Sequence, residues 1–196
     1  MSYSGREINE SFVLPEFRND RYRQKYEELK IKLEDPNQVE YACVHEAGHV
    51  IFTRKAGFHQ IEFHGPTMIY DDRIENEDDR YDYCIAAVAD LRAANPEYYS
   101  EAVLCKLARI AIAGEVFNEI RQRYFTTIPA DKRSDWRKFE RECYKAHKSN
   151  TDIRYQPLRY WRGARTAVEA YLNNNPDEGM IQSTIAEVRL NCFDLR

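Results

Sequence analysis

Apolar positions along this chain recur mostly at three- and four-residue spacing, the pattern of helices that bury one face. Residues 17–34 place Tyr22, Tyr26, Leu29 and Leu33 on one stripe among charged side chains, which predicts an amphipathic helix laid on a domain surface. Asp35-Pro36 breaks it. A second helix follows, with Val39, Cys43, Ala47, Val50 and Ile51 apolar, Asn37 as N-cap, Glu40 closing a capping box and Gly57 as the stop. Residues 81–94 repeat the helical spacing through Tyr81, Ile85, Val88 and Leu91. The most apolar helix is expected from Asn95-Pro96 to about Tyr124, with Ala108, Ala111 and Gly114 allowing a neighbour close. Three more complete the chain. One opens at Ser134 with Trp136, Phe139 and Cys143 inward. One covers 157–173 with Leu158, Trp161, Ala164, Val168 and Leu172 inward. The last runs from about Asp177 to Leu190.

The period changes after Gly57. Residues 59–64 alternate polar and apolar, the signal of a half-buried strand, and Gly65-Pro66 is expected to turn the chain into a second strand at Thr67 to Tyr70. Residues 71–80 hold six acids and two arginines and read as a solvated loop. The fold class is therefore mostly α with a small β-hairpin beside the second helix. Residues 1–36 form an arm and an amphipathic helix, and residues 37–196 the main domain. Residues 17–34 are also the candidate contact surface for a partner or a second copy.

Composition narrows the classes. A formal net charge of −4 gives no basic field for nucleic acid. No apolar run approaches the roughly 20 residues that span a bilayer, so no membrane insertion is expected. Met1 to Glu10 is polar and acidic, unlike a signal peptide. Five cysteines, an odd number without close pairing, argue against a disulfide framework. The expected compartment is the reducing cytoplasm.

The chemistry lies on the second helix, in Val44-His45-Glu46-Ala47-Gly48-His49. His45 and His49 are one turn apart on one face, a spacing at which two imidazoles can hold one zinc ion. Glu46 falls beside the metal and off the ligand axis, where it can act as general base in attack of water on a peptide carbonyl. A catalytic zinc needs a third protein ligand. The oxygen candidates are Glu115, Glu119, Asp131 and Asp135, and spacing alone does not choose among them. A carboxylate such as Glu119 could instead hold a ligand imidazole in its metal-binding tautomer. His59 and His64, five apart on a strand, point to opposite faces and are expected to be structural or exposed. Two functional classes follow. One is a metallopeptidase. The other is a non-enzymatic or latent zinc-binding regulatory module built on the same scaffold. Glu46 favours the first, because a structural site has no use for that carboxylate.

His45-Glu46-Ala47-Gly48-His49 resembles the motif of the FtsH family of zinc proteases, which favours Ala-Gly between Glu and His. Residues 110–120 are similar to that family's Gly-Gly-Arg-Ala-Ala-Glu-Glu helix, with Ala113, Glu115, Val116 and Phe117 as departures. Ser134-Asp135-Trp136 falls where the family has an Asp near a helix start. The resemblance covers about residues 38–190. It implies a zincin-like helical protease domain, one zinc per chain, and Asp135 as the third ligand. The family usually adds an ATPase domain and membrane segments. This chain carries no Gly-x-x-x-x-Gly-Lys phosphate loop, so the expectation is a stand-alone, ATP-independent metalloprotease. Its substrates would be unfolded, short or loop-exposed peptides.

Overall fold

The structure, a computed structural model, describes residues 7–58, 60–72, 74–76, 80–90, 99–124, 134–174 and 176–194. Among these residues six α-helices dominate: α1 (Asp20–Glu34), α2 (Pro36–Lys55), α3 (Glu101–Gln122), α4 (Ser134–Ser149), α5 (Pro157–Asn173) and α6 (Glu178–Cys192). The described residues between α2 and α3 form four short strands: β1 (Ile61–His64), β2 (Thr67–Tyr70), β3 (Tyr81–Cys84) and β4 (Ala87–Asp90). Among the described residues no helix is long and apolar enough to cross a membrane.

The α1 stripe is buried at Tyr22, Leu29 and Leu33, with Tyr26 partly so, and packs against β3 and α2. Its outward face is laced by i,i+3 ion pairs, Arg23–Asp20, Lys25–Glu28 and Lys30–Glu27. Asp35 ends α1 and also starts α2. Its carboxylate accepts from Asn37 N at 2.9 Å, with Pro36 at the first helical position. The cap is therefore Asp35 and not Asn37. Pro36 has no amide hydrogen to leave unsatisfied there and its φ is preset for a helix, so the start moves two residues upstream. Glu40 forms no capping box and instead pairs with Arg189 of α6. Gly57 does adopt a positive φ, +89°, just beyond the C-cap Ala56.

Helix α2 is enclosed. From Ala42 to Thr53 every residue except His45 is buried, because α1, α3, α6 and β4 all pack on it. Helix α3 comes close at Gly48. A Cβ at Gly48 would stand 2.8 Å from the Ala113 carbonyl oxygen and 3.0 Å from Phe117 Cγ. Glycine is thus required where the two backbones touch. The N-terminal cap of α3 is Ser100, which accepts from Val103 N; Asn95 and Pro96 lie outside the described residues. Helix α5 covers the other side of α3, and α4 packs on both. Trp136 and Phe139 of α4 are locked edge-on against Trp161 and Tyr160 of α5. Leu158, expected inward, is 55% exposed, since the buried face of α5 runs through Pro157, Trp161, Ala164, Val168 and Leu172. Asp177 caps α6 by accepting from Met180 N.

The helix expected over 81–94 is not formed at 81–90, where β3 and β4 run instead. Tyr81, Tyr83 and Ile85 lie two apart, so the start of this segment also satisfies a strand period. Aromatic and β-branched side chains favour that outcome. The strands pair antiparallel as β1 with β4 and β2 with β3, in one continuous register from Ile61↔Asp90 to Tyr70↔Tyr81. They are two halves of one hairpin. It is interrupted at Gly65-Pro66, where proline cannot donate to the ladder. Gly65-Pro66 therefore breaks the ribbon and does not turn the chain back. The arm fills the gap: Asn9 N donates to Pro66 O at 2.7 Å, and Met68 N donates to Asn9 O at 2.9 Å.

Candidate metal centre

One turn of α2 and the first turn of α4 meet at a single point. His45 Nε2 and His49 Nε2 lie 3.1 Å apart. Asp135 Oδ2 stands 3.4 Å from the first and 3.5 Å from the second. Among the described residues, His45, His49 and Asp135 are the one group of three such side chains close enough to share an ion. A tetrahedral ion with bonds of about 2.0–2.1 Å holds its donors about 3.3–3.4 Å apart. The triangle of two imidazole nitrogens and one carboxylate oxygen matches that size and that donor set.

The elements supply the aim. Four-residue spacing stacks the two histidines on one side of α2. Trp136, held against Trp161, fixes the start of α4 so that Asp135 faces them. The other Asp135 oxygen faces solvent-exposed Lys138 at 3.8 Å. The site opens on one side: the His45 and Asp135 side chains are about a quarter exposed, His49 far less. The Tyr41 ring flanks His45, and Tyr124 closes edge-on against Tyr41.

Each imidazole is also held from behind by α3. His49 Nδ1 donates to the Ile110 carbonyl at 2.7 Å. His45 Nδ1 faces the Asn118 carboxamide, 3.3 Å from Nδ2. Gly114 lies between, with room for His45 only because it has no side chain. Asn118 and the Ile110 carbonyl were not expected from the sequence. The available signal was that 110, 114 and 118 share one face of α3 at i,i+4 spacing.

Burial and charge set the protonation. Burial works against a charged His49, but Asp135 overcomes it and raises the imidazole to about 9. Burial likewise works to raise Asp135, yet His49 and His45 hold it well below the usual carboxylate range. Glu46, 8% exposed, is pushed upward by burial and drawn back by the two histidines. Its carboxyl therefore belongs to the same electrostatic cluster. So does Cys84 at the ribbon's interruption, whose thiol is pushed up to about 12 by burial and by Glu46.

The other candidates lie elsewhere. Glu119 pairs with Arg165 of α5, as does Glu115 at 3.2 Å, which directs both carboxylates to the contact between α3 and α5. Asp131 and His59 lie outside the described residues. His64 is paired with Glu62 on the exposed side of β1, and His147 is held by the Ile153 carbonyl. Comparison with protein-family models, with curated proteins and with solved structures finds no match.

Proposed function

We propose that the protein is an ATP-independent zinc metallopeptidase of zincin-like design, with one zinc held by His45, His49 and Asp135. The convergence of those three donor atoms beside a buried Glu46 supports this most directly. A bound zinc would supply Lewis-acid polarisation of water and of the scissile carbonyl. The chain's own residues do the rest. Glu46 takes one proton from the attacking water as its oxygen bonds to the carbonyl carbon. It then gives that proton to the amide nitrogen as the C–N bond breaks, leaving a carboxylic acid and an amine. Burial of Glu46 suits both halves of that task, because a carboxyl with a raised pKa holds the proton longer. Asp135 adds one negative charge to two imidazoles and favours a divalent cation over an anion.

Substrate would bind in extended form. β4 packs against α2 and pairs with β1 among the described residues, and an extended peptide would add to this ribbon by backbone hydrogen bonds. Unfolded, short or loop-exposed chains fit that mode of binding. A stable domain opens in only about 10⁻³–10⁻⁶ of molecules, so its cleavage is expected to be slower by a similar factor. The test pairs metal analysis with digestion of one substrate in folded and destabilised forms, with and without ATP. About one zinc per chain, faster cleavage of the destabilised form and indifference to ATP are expected. Full zinc with no cleavage of either form would favour a zinc-binding regulatory module.

A further inference from the structure

His45 and His49 are held from behind in different ways, and the difference assigns a role to Asn118. An imidazole that offers Nε2 to a metal must carry its proton on Nδ1. For His49 this is settled by the backbone. Its Nδ1 lies 2.7 Å from the Ile110 carbonyl, which can only accept, so Nδ1 bears the hydrogen and Nε2 faces the site. For His45 the partner is a carboxamide, which can present either a donor or an acceptor. As placed, the Asn118 amide nitrogen faces His45 Nδ1 at 3.3 Å. Its oxygen, on a residue only 1% exposed, has no hydrogen-bond partner.

That orientation suits a His45 protonated on Nε2, the tautomer that cannot bind metal through that atom. With the hydrogen on Nδ1, two donors would face each other. His45 cannot simply turn away, because its ring already lies against Gly114, where a Cβ would stand 2.7 Å from three ring atoms. The amide can turn instead. Oxygen and NH₂ are nearly the same size, so rotation of the carboxamide by about 180° exchanges them with little movement of neighbours.

We propose that Asn118 is the positioning residue for His45: in the zinc-loaded protein its carboxamide oxygen accepts from His45 Nδ1–H and fixes the tautomer that presents Nε2. The inference rests on the metal-site reading and adds to it a residue that acts through His45 and touches neither metal nor substrate. The acceptor is what matters, and the NH₂ group is dispensable.

The test compares wild type with Asn118→Leu, which removes the acceptor at similar volume, and Asn118→Asp, which keeps an acceptor and removes the donor. Zinc affinity is measured by competition with a chromophoric chelator. Far-UV circular dichroism and thermal melts of the metal-free proteins report folding. Nitrogen-15 spectra of the zinc-loaded wild type report the His45 ring. Asn118→Leu should weaken zinc binding about 10–100-fold. Asn118→Asp should bind within a few-fold of wild type or tighter, and His45 should be protonated at Nδ1 and metal-bound at Nε2. Wild-type affinity in a folded Asn118→Leu would overturn the proposal while leaving the metal site standing. So would equal loss in both variants, or zinc on His45 Nδ1. If Asn118→Leu fails to fold, Asn118→Asp and the wild-type spectrum still decide. A wild type that takes up no zinc would overturn the metal-site reading and this inference with it.

Discussion

Gly114 and His45 are in contact so close that a single added carbon has no room: a Cβ at 114 would meet Cδ2, Cε1 and Nε2 of the imidazole at 2.7 Å. One of the three, Nε2, is the atom turned toward His49 and Asp135. Gly114→Ala should therefore push His45 out of the triangle and weaken zinc binding at least about 10-fold, a loss on the scale of removing a positioning contact. The metal-free protein should still fold, since a side chain and not a backbone must move. Chelator competition beside a thermal melt separates the two effects.

Gly48 has the opposite sensitivity, because its would-be Cβ meets the Ala113 backbone. Gly48→Ala must separate α2 from α3, and overpacking of this kind costs about 1–3 kcal/mol. A lowered Tm in the metal-free protein is the expected readout. Gly163, exposed in mid-α5 with nothing within 4 Å of its Cβ position, is the control. Gly163→Ala should stabilise by about 0.5–1 kcal/mol through helix propensity.

The glycines also show what the sequence could and could not reveal. The motif's Ala47-Gly48 step was legible as a pattern, and Gly114 as one of several small residues on a helix. What each one faces depends on how α2 crosses α3, which no local spacing encodes. The two histidines sharing a helix face, and the α1 stripe, follow from a 3.6-residue period and were readable directly. Asp135 was one of four oxygen candidates by spacing, and only the resemblance singled it out. Asn118 escaped because its place on one helix face with positions 110 and 114 does not say which residue of another helix it meets. Residues 81–90 misled because tyrosines and aliphatics placed two and four apart fit both periods. Their strand pairing is settled by partners at 61–70, far off in sequence.

Zinc uptake should release protons. In the metal-free protein Asp135 raises His49 to about 9, so at pH 7.5 the imidazole is charged and must lose its proton before it can bind. Apparent affinity should rise with pH and level off above about 9. Calorimetry in buffers of different ionisation enthalpy would count about one proton per zinc near pH 7.5, and none released would contradict the pairing. The same pair shapes metal-free stability. His49 is raised above the ordinary imidazole value of 6.5. Its contribution is therefore fully present below that pH and is lost as pH rises through about 9. Asp135 is depressed, so its side of the pair is lost on acidification below the usual carboxylate range.

Arg165 bridges Glu115, Glu119 and Glu169, tying α3 to α5. Glu115 and Glu119 are nearly buried, so Arg165→Met removes the cation between them and should cost about 1–3 kcal/mol, reduced because the guanidinium is partly exposed. Glu119→Gln should leave zinc affinity unchanged within about twofold, because that carboxylate faces Arg165 and not an imidazole. Loss of zinc from Glu119→Gln with a fold intact by circular dichroism would show that the carboxylate serves the metal after all.

One substitution isolates the proposed proton-transfer role of Glu46. Glu46→Gln keeps the shape of the side chain and removes its basicity. The measurement is digestion of an unfolded casein by wild type and Glu46→Gln, at zinc contents shown by metal analysis to be equal. Cleavage by wild type and a drop of at least about 10²–10⁴-fold in the variant are predicted, the range for loss of general acid–base help. Equal cleavage by both proteins at matched zinc would contradict proton transfer by Glu46.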